Sequence, residues 1–240
     1  MTPRDRLVAA LRDAVDVPWI DAAWIGGAEA FGRLDEWSDL DLQLLCDPAR
    51  ADDAFALVER QLEGLGGIEA VWEPPAGADY RQRFYRVAGF PEWCMLDLCL
   101  MVPGRLDPWM DPERHGTPTV WFDRVGALRP LRDEGLDERL ADRRRQMVDR
   151  AELIGHLPAK SLARGQVLEA VDTYHRMLLV PLMELLRARH CPRRQDYGMR
   201  YARLDLPADV VDRLERLALP SAETLPAFIE EARAWIRELS

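Results

Sequence analysis

Short apolar runs separated by turn-forming residues dominate the first half of the chain. Runs of roughly four to eight apolar residues bounded by glycine, proline or aspartate are typical of strands. Apolar residues at helical spacing predict helices after Thr2-Pro3 and after Asp47-Pro48, the second ending at the glycines of 64–67. The predicted strands are residues 20–25, 39–46, 68–72, 83–87, 92–102 and 119–125.

Strand signals stop after about Pro130, and helical spacing takes over. We therefore predict a first domain over residues 1–130, an α+β or α/β fold with a mixed sheet and flanking helices. A second domain, residues 131–240, is predicted as a bundle of roughly four helices. Its predicted helices are residues 136–157, residues 160–190 with a kink at Pro181, residues 207–219 and residues 224–239.

Two shorter features of the chain allow more than one interpretation. Residues 103–118 are rich in proline and glycine and predict a loop, in which a lone His115 is expected to be exposed rather than to contact a substrate. The arginine run at 143–145 is interpreted as a solvated helix face, with an anion-binding patch as the alternative.

The overall charge changes which partners are expected. The chain has 240 residues, a hydrophobic content of 48% and a formal net charge of −10. Proteins that bind nucleic acid usually carry a basic face, because phosphate contacts depend on lysine and arginine. The acidic balance therefore disfavours nucleic acid and favours a small, cationic substrate.

Cysteine usage and the absence of long apolar runs bear on location. Cys46, Cys94, Cys99 and Cys191 have neither metal-ligand spacing nor the pattern of a disulfide framework, so we expect buried free thiols. Charged residues at the N-terminus argue against a secretory signal, and no apolar run approaches the roughly 18 residues of a membrane span. We expect a soluble cytoplasmic protein, monomeric or homodimeric.

The candidate chemistry lies in residues 24–46, which read WIGGAEAFGRLDEWSDLDLQLLC. Asp39 and Asp41 open a predicted strand one residue apart, so their side chains share a face and offer the oxygen ligands that Mg²⁺ prefers. Gly26 and Gly27 precede a short helix, where backbone N–H groups can bind phosphate. Either feature alone is weak, since aspartate pairs occur at exposed strand ends and glycine pairs in ordinary turns. Together they indicate nucleotide chemistry.

This stretch resembles the signature of the DNA polymerase beta-type nucleotidyltransferase superfamily, a G-[GS] pair followed by D-x-[DE] in a strand. It is most similar to the small bacterial branch that includes aminoglycoside and lincosamide nucleotidyltransferases, and DEWSDLDLQ carries most of the resemblance. The resemblance covers residues 20–130 by motif and the helical half more loosely. It implies a nucleotidyltransferase-type sheet and a third carboxylate on a neighbouring strand.

Asp97 is the candidate for that third carboxylate, because it stands between Leu96 and Leu98 in an apolar run. A charge there is costly to bury unless it is paired or binds a metal ion. The alternatives are an aspartate that faces water at a strand edge or one held by an arginine. We predict Asp39, Asp41 and Asp97 as catalytic residues and as ligands of two Mg²⁺ ions.

The predicted nucleotide-binding residues combine the glycine turn with nearby polar positions and one distant lysine. Ala28 stands where related sequences carry serine, and Phe31 where they often carry arginine, so Arg33 or Lys160 would have to supply positive charge. Lys160 is the sole lysine of the chain, and the alternative is an ordinary exposed lysine. The predicted set is Gly26, Gly27, Ala28, Arg33, Ser38 and Lys160.

The resemblance implies transfer of a nucleoside monophosphate from a nucleoside triphosphate, with ATP favoured, to a hydroxyl of an antibiotic-like acceptor, with release of pyrophosphate. Asp97 is one candidate for the general base, and Glu169 or Glu184 in the helical half are the others. Tyr174 could stack on a base, although a core position is favoured. The alternatives to this function are a nucleotide-binding regulatory protein, a transferase acting on protein or RNA, and an antitoxin.

Overall fold

The chain folds into two compact units, Met1–Arg132 and Asp133–Ser240. The structure, a computed structural model, describes residues 1–75, 80–101, 111–130 and 134–239. The first unit is built around a mixed β-sheet and the second is helical.

The described part of the first unit contains a six-stranded sheet with the order β3-β4-β5-β2-β1-β6. The pairing of β2 with β5 is parallel, and the other neighbouring strands are antiparallel. This agrees with the predicted mixed sheet, and the predicted pairing of the 83–87 strand with the Asp97 strand is confirmed. The strands are β1 (Ile20–Ile25), β2 (Leu40–Cys46), β3 (Ile68–Trp72), β4 (Tyr80–Val87), β5 (Leu96–Met101) and β6 (Thr119–Asp123).

Helices cover one face of this sheet. The first helix begins at a capping box, in which Thr2 and Asp5 each bond the backbone N–H of the other. It packs with the third helix over the sheet, where their apolar stripes join the leucines of β2 and β5 in one core. The helices of this unit are α1 (Pro3–Arg12), α2 (Gly27–Ala30), α3 (Ala51–Leu65) and α4 (Pro112–His115).

Strand alternation separates the core from the candidate site. In β2 and β5 the leucines at 40, 42 and 44 and at 96, 98 and 100 lie in the core. The residues between them, including Asp41 and Asp97, belong to the opposite face. The two central strands thus carry carboxylates on the face away from α1 and α3.

The predicted loop over residues 103–118 is corrected in part. Residues 102–110 lie outside the described part, but Asp111 caps the short helix α4 by accepting hydrogen bonds from the N–H groups of Glu113 and Arg114. His115 is half-buried rather than exposed. Local capping by an aspartate before a proline therefore forms a helical turn where the composition indicated a loop.

The second unit is a set of packed helices around one apolar core. Its described helices are shorter and more numerous than the four predicted. They are α5 (Leu136–Ile154), α6 (Leu157–Ala163), α7 (Val167–Tyr174), α8 (Val180–His190), α9 (Ala202–Asp205), α10 (Ala208–Ala218) and α11 (Leu225–Glu238). No helix in the described ranges is both long and apolar enough to cross a membrane.

The predicted single helix over residues 160–190 is wrong, because the chain breaks after α6 at Gly165, which has a φ of +75°. The predicted disturbance near Pro181 takes the form of a π-helical turn, His175–Leu179, before α8. Proline has no N–H to donate to the carbonyl four residues earlier, so the backbone rewinds locally.

Tyr174 and His175 have structural contacts in this unit. The Tyr174 ring is fully buried, and its hydroxyl donates to the carbonyl of Leu217 at 3.1 Å. His175 Nε2 lies 3.0 Å from the carbonyl oxygen of Ala218, at the end of α10. These contacts satisfy helix-terminal carbonyls, so Tyr174 occupies the core position that was favoured over base stacking.

The arginine run at 143–145 has the solvated character that was expected. All three side chains are exposed, and two of them form ion pairs: Arg143 with Glu184 at 2.7 Å, and Arg145 with Asp142. Acidic partners offset much of the positive charge that an anion-binding patch would need.

A buried arginine joins the C-terminal half of α8 to the following segment. The Arg187 side chain is fully buried, donates to the carbonyls of Gly198 and Arg200, and forms an ion pair with Asp205 at 2.9 Å. Arg194 contacts the other oxygen of Asp205 at 2.8 Å. Burial of both charges makes each partner strongly dependent on the other.

We expect Asp205→Ala to lower the free energy of unfolding of the second unit by about 3–5 kcal/mol, because it leaves the Arg187 charge buried without this partner. The control is Arg203→Ala, which removes exposed ion pairs to Asp212 and Glu215 and should cost at most about 1 kcal/mol. Urea unfolding followed by circular dichroism measures both. Equal losses in the two variants would contradict the assignment.

Candidate functional site

The parallel pairing of β2 with β5 brings two of the predicted carboxylates together. Asp41 and Asp97 are direct register partners, with Leu40 opposite Leu96 and Leu42 opposite Leu98. Neighbouring strands lie about 4.8 Å apart, so the two side chains stand beside each other on the same face. Both residues are half-buried. Two adjacent carboxylates in such a place are costly unless a cation or hydrogen-bond donors compensate them.

The glycine turn and the aspartate strand are in direct contact. The N–H of Gly26 donates to the carbonyl of Asp41 at 2.9 Å. Gly27 has a φ of +53°, and a Cβ built on it would overlap the carboxylate of Asp41. A side chain at position 27 is therefore excluded both by the backbone conformation and by the carboxylate.

Asp39 is positioned through its backbone. It precedes β2 by one residue, and its carbonyl accepts a hydrogen bond from Arg4 Nε at 2.9 Å. Arg4 also forms an ion pair with Glu29 in α2, so one guanidinium links α1, α2 and the start of β2. The side chain of Asp39 is half-buried, like those of Asp41 and Asp97.

The three aspartates suit a hard cation in their chemistry, since carboxylate oxygens are the ligands that Mg²⁺ prefers. The close approach of the Asp41 carboxylate to Gly27 fits a turn shaped around this group. In the described ranges, no three His, Cys, Asp or Glu side chains already form a group that could hold a metal ion. The predicted Mg²⁺ ligands therefore stay a prediction.

A neutral amide contacts Asp97. Gln82 Nε2 donates to Asp97 Oδ1 at 2.6 Å from the neighbouring antiparallel strand β4. The two arginines that flank Gln82 point to the opposite face, where they form ion pairs with Glu59, Glu73 and Asp52. Strand alternation thus places a neutral donor, and not a guanidinium from 81 or 83, beside the carboxylate.

The predicted nucleotide-binding residues of the first unit differ in how they are held. The Gly26 N–H is already committed to Asp41, which leaves the Gly27 and Ala28 amides at the start of α2 as candidates. The Arg33 guanidinium lies over the Phe31 ring at 5.0 Å. The Ser38 hydroxyl donates to Asp35 at 2.8 Å and so closes a local turn.

The remaining predicted residues belong to the second unit. Lys160 lies in α6 and is exposed. Of the two alternative bases, Glu184 forms an ion pair with Arg143, and Glu169 accepts a hydrogen bond from Ser161 at 3.0 Å. Asp97 differs from both because it lies beside Asp41.

Burial disfavours the thiolate form of the two cysteines near the site. Burial raises the pKa of Cys99, the residue two after Asp97, to about 12, and the Asp97 carboxylate adds to this effect. Burial also raises the pKa of Cys94. All four cysteines are buried free thiols, as expected. A raised pKa disfavours the thiolate form at neutral pH, so the carboxylates are the stronger candidates for chemistry at this site.

A cleft of about 440 Å³ reaches Ser38, the residue before Asp39, and is in the size range of small-molecule sites. Its walls come from the start of α1, the 34–38 turn and the 91–94 segment, and include Arg4, Ser38 and Trp93. Trp93 is exposed, and its ring lies 4.7 Å from that of Trp37. Three acidic residues, Asp5, Asp35 and Glu36, give the lining a negative balance.

Three residues of this site were not predicted from the sequence: Arg4, Gln82 and Trp93. Arg4 is one of many arginines, and the sequence does not show which of them reaches back to Asp39. Gln82 could have been singled out as the neutral residue between two arginines in a predicted sheet. Trp93 precedes the Asp97 strand without any local signal.

Comparison with family models and with curated proteins found no match to the chain. The geometry of the site and the sequence resemblance described above therefore carry the functional argument alone.

We expect Gly27→Ala to destabilise the first unit, because alanine at this positive φ costs about 1–2 kcal/mol and its methyl group also displaces the Asp41 carboxylate. Gly26→Ala is the control, since a Cβ there meets nothing within 4 Å. Thermal unfolding compares the two variants.

Measuring Gly27→Ala in an Asp41→Ala background separates the cost of the positive φ from the cost of displacing the carboxylate. The contact between position 27 and the carboxylate predicts that Gly27→Ala costs at least about 1 kcal/mol less in that background than in the wild type. Strictly additive effects would show that the close approach has no energetic importance.

Proposed function

We propose that the chain is a magnesium-dependent nucleotidyltransferase that moves a nucleoside monophosphate from a nucleoside triphosphate to a hydroxyl of a small-molecule acceptor. The observation that carries the proposal is the joint geometry of Gly27, Asp41 and Asp97. A glycine turn that fits closely around one carboxylate, with a second beside it on a parallel strand, supports a site for a cation and a polyphosphate. The mixed sheet agrees with a nucleotidyltransferase-type fold.

In this mechanism Asp39, Asp41 and Asp97 would hold the metal ions and thereby orient the triphosphate. When bound, Mg²⁺ supplies positive charge that neutralises the phosphates and stabilises in-line displacement at the α-phosphorus. The Gly27 and Ala28 amides and Arg33 would contact phosphate oxygens. Asp97 would take the proton of the acceptor hydroxyl, and its place beside Asp41 favours it over Glu169 and Glu184.

The cleft that reaches Ser38 is the proposed place of the acceptor. Its volume suits a drug-sized molecule, and Ser38 in its wall directly precedes Asp39 in the chain. An exposed indole offers a flat apolar surface, and the negative balance of the lining favours a cationic group over an anionic one. The negative lining does not fit a nucleic-acid backbone, which requires a basic surface.

We expect Asp41→Asn to abolish pyrophosphate release and metal-dependent nucleotide binding while the thermal unfolding temperature stays close to that of the wild type. Calorimetric titration of ATP, GTP, CTP and UTP with and without Mg²⁺ identifies the donor, and an acceptor screen with a pyrophosphate assay measures transfer. Asp13→Asn, at an exposed position of the same unit, is the charge-matched control.

The outcomes separate the competing functions. Transfer retained in Asp41→Asn contradicts the assignment. Metal-dependent binding of a triphosphate without pyrophosphate release, across small molecules, protein and RNA acceptors, supports a regulatory nucleotide-binding protein instead. Transfer to protein or RNA alone keeps the reaction type but overturns the proposed acceptor class.

We expect Trp93→Ala to raise the acceptor KM by about tenfold, because loss of one aromatic wall removes roughly 1–2 kcal/mol of binding free energy. The affinity for the triphosphate should not change, and Trp93→Phe should restore most of the loss. Steady-state kinetics with the acceptor found in the screen measures both parameters. An unchanged KM would place the acceptor elsewhere.

A further inference from the structure

We propose that Gln82 is a positioning residue that fixes the Asp97 carboxylate for metal binding, an inference that rests on the proposed function. The amide donates to Asp97 Oδ1 at 2.6 Å, at the short end of charge-assisted hydrogen bonds. Such a bond fixes the rotation of the carboxylate about its side chain. Asp97 therefore presents a defined orientation toward Asp41, its partner on β2.

The strand register explains why residue 82 can do this. Phe84 is the residue directly opposite Asp97, and Gln82 is opposite Cys99, so Gln82 reaches Asp97 along the diagonal. The diagonal separation of about 7–8 Å between Cα atoms suits a long side chain such as glutamine. Phe84, at the directly opposite position, is half-buried, and its ring stacks on that of Trp72 at 5.3 Å.

The charge of the donor matters as much as its reach. A guanidinium at this position would neutralise Asp97 and compete with a bound cation, whereas an amide holds the carboxylate and leaves its negative charge in place. The chain carries arginines at 81 and 83, but both contact acidic side chains on the opposite face of the sheet. β4 thus presents a neutral donor on the face where a cation would bind and arginines on the face where they stabilise the packing of α3.

Outer partners of metal-binding carboxylates typically change metal affinity by 10–100-fold when they are removed. For Gln82→Met, which keeps the length of the side chain and removes the donor, we expect Mn²⁺ affinity to fall about tenfold. For Gln82→Arg we expect Mn²⁺ binding to be lost. Gln61→Met, the same change in α3 on the other side of the sheet, should leave the affinity unchanged.

The measurement is a titration of each variant with Mn²⁺, alone and with ATP, followed by the electron paramagnetic resonance signal of free Mn²⁺. Thermal unfolding without metal accompanies it, and Gln82→Met should match Gln61→Met there within about 2 °C, since the change is isosteric. A positioning role requires that the Mn²⁺ affinity of Gln82→Met falls while its unfolding temperature stays equal to that of Gln61→Met. A purely structural role would lower the unfolding temperature without this change in affinity.

The results distinguish the positioning role from the proposed reaction. If the wild type binds Mn²⁺ and Gln82→Met binds it with the same affinity, the positioning role is overturned and the proposed reaction stands. Weaker binding in Gln82→Met, in a protein that transfers no nucleotide to any acceptor, supports the positioning role and overturns the reaction. If the wild type binds no Mn²⁺, either alone or with ATP, both the positioning role and the proposed reaction are overturned.

Discussion

The carboxylate of Asp41 occupies the space in which any other residue at position 27 would carry its Cβ, and the arrangement of the candidate site depends on this close approach. The turn after β1 is drawn onto β2 by the hydrogen bond from Gly26 to the Asp41 carbonyl. Because glycine has no side chain, the turn at Gly27 leaves room for the Asp41 carboxylate of β2 and so defines its position. The two halves of a short sequence motif become one site through a contact between backbone and carboxylate.

The second determinant is the pairing of β2 with β5, the parallel pair of an otherwise antiparallel sheet in the described residues. When two parallel strands pair in register, residues at matching positions lie side by side, with their side chains on the same face of the sheet. Both strands alternate leucine with other residues, so burial of the leucines on one face sends both aspartates to the other face. The same packing that stabilises the core thus assembles the carboxylate pair. Gln82 then joins Asp97 of this pair to β4, and Arg4 joins the backbone of Asp39, just before β2, to α1.

Much of the fold was readable from local patterns, and the exceptions have physical causes. The strands and the caps of α1 depend on short-range periodicity and capping chemistry, which the sequence shows directly. The break at Gly165 divides a continuous apolar pattern, which periodicity alone reads as one helix, whereas the disturbance expected at Pro181 is present as a π-helical turn. At the site, the isolated charge of Asp97 in an apolar run was informative. The contacts of Arg4, Gln82 and Trp93 depend on tertiary register, which one sequence does not contain.

The separation of Asp41 from Asp97 along the chain has a consequence for folding. A whole helix and two strands, α3, β3 and β4, lie between them, so the seam joining β2 to β5 closes a long loop. Contacts between residues far apart in the chain are expected to form late in folding, because the entropy of closing the long loop is lost before the contact stabilises the protein. We therefore expect the carboxylate pair to be absent from early, locally folded states in which helices already exist. Partial opening of the sheet between β2 and β5 would separate the two charges, and we expect most of the helical content of the chain to be retained.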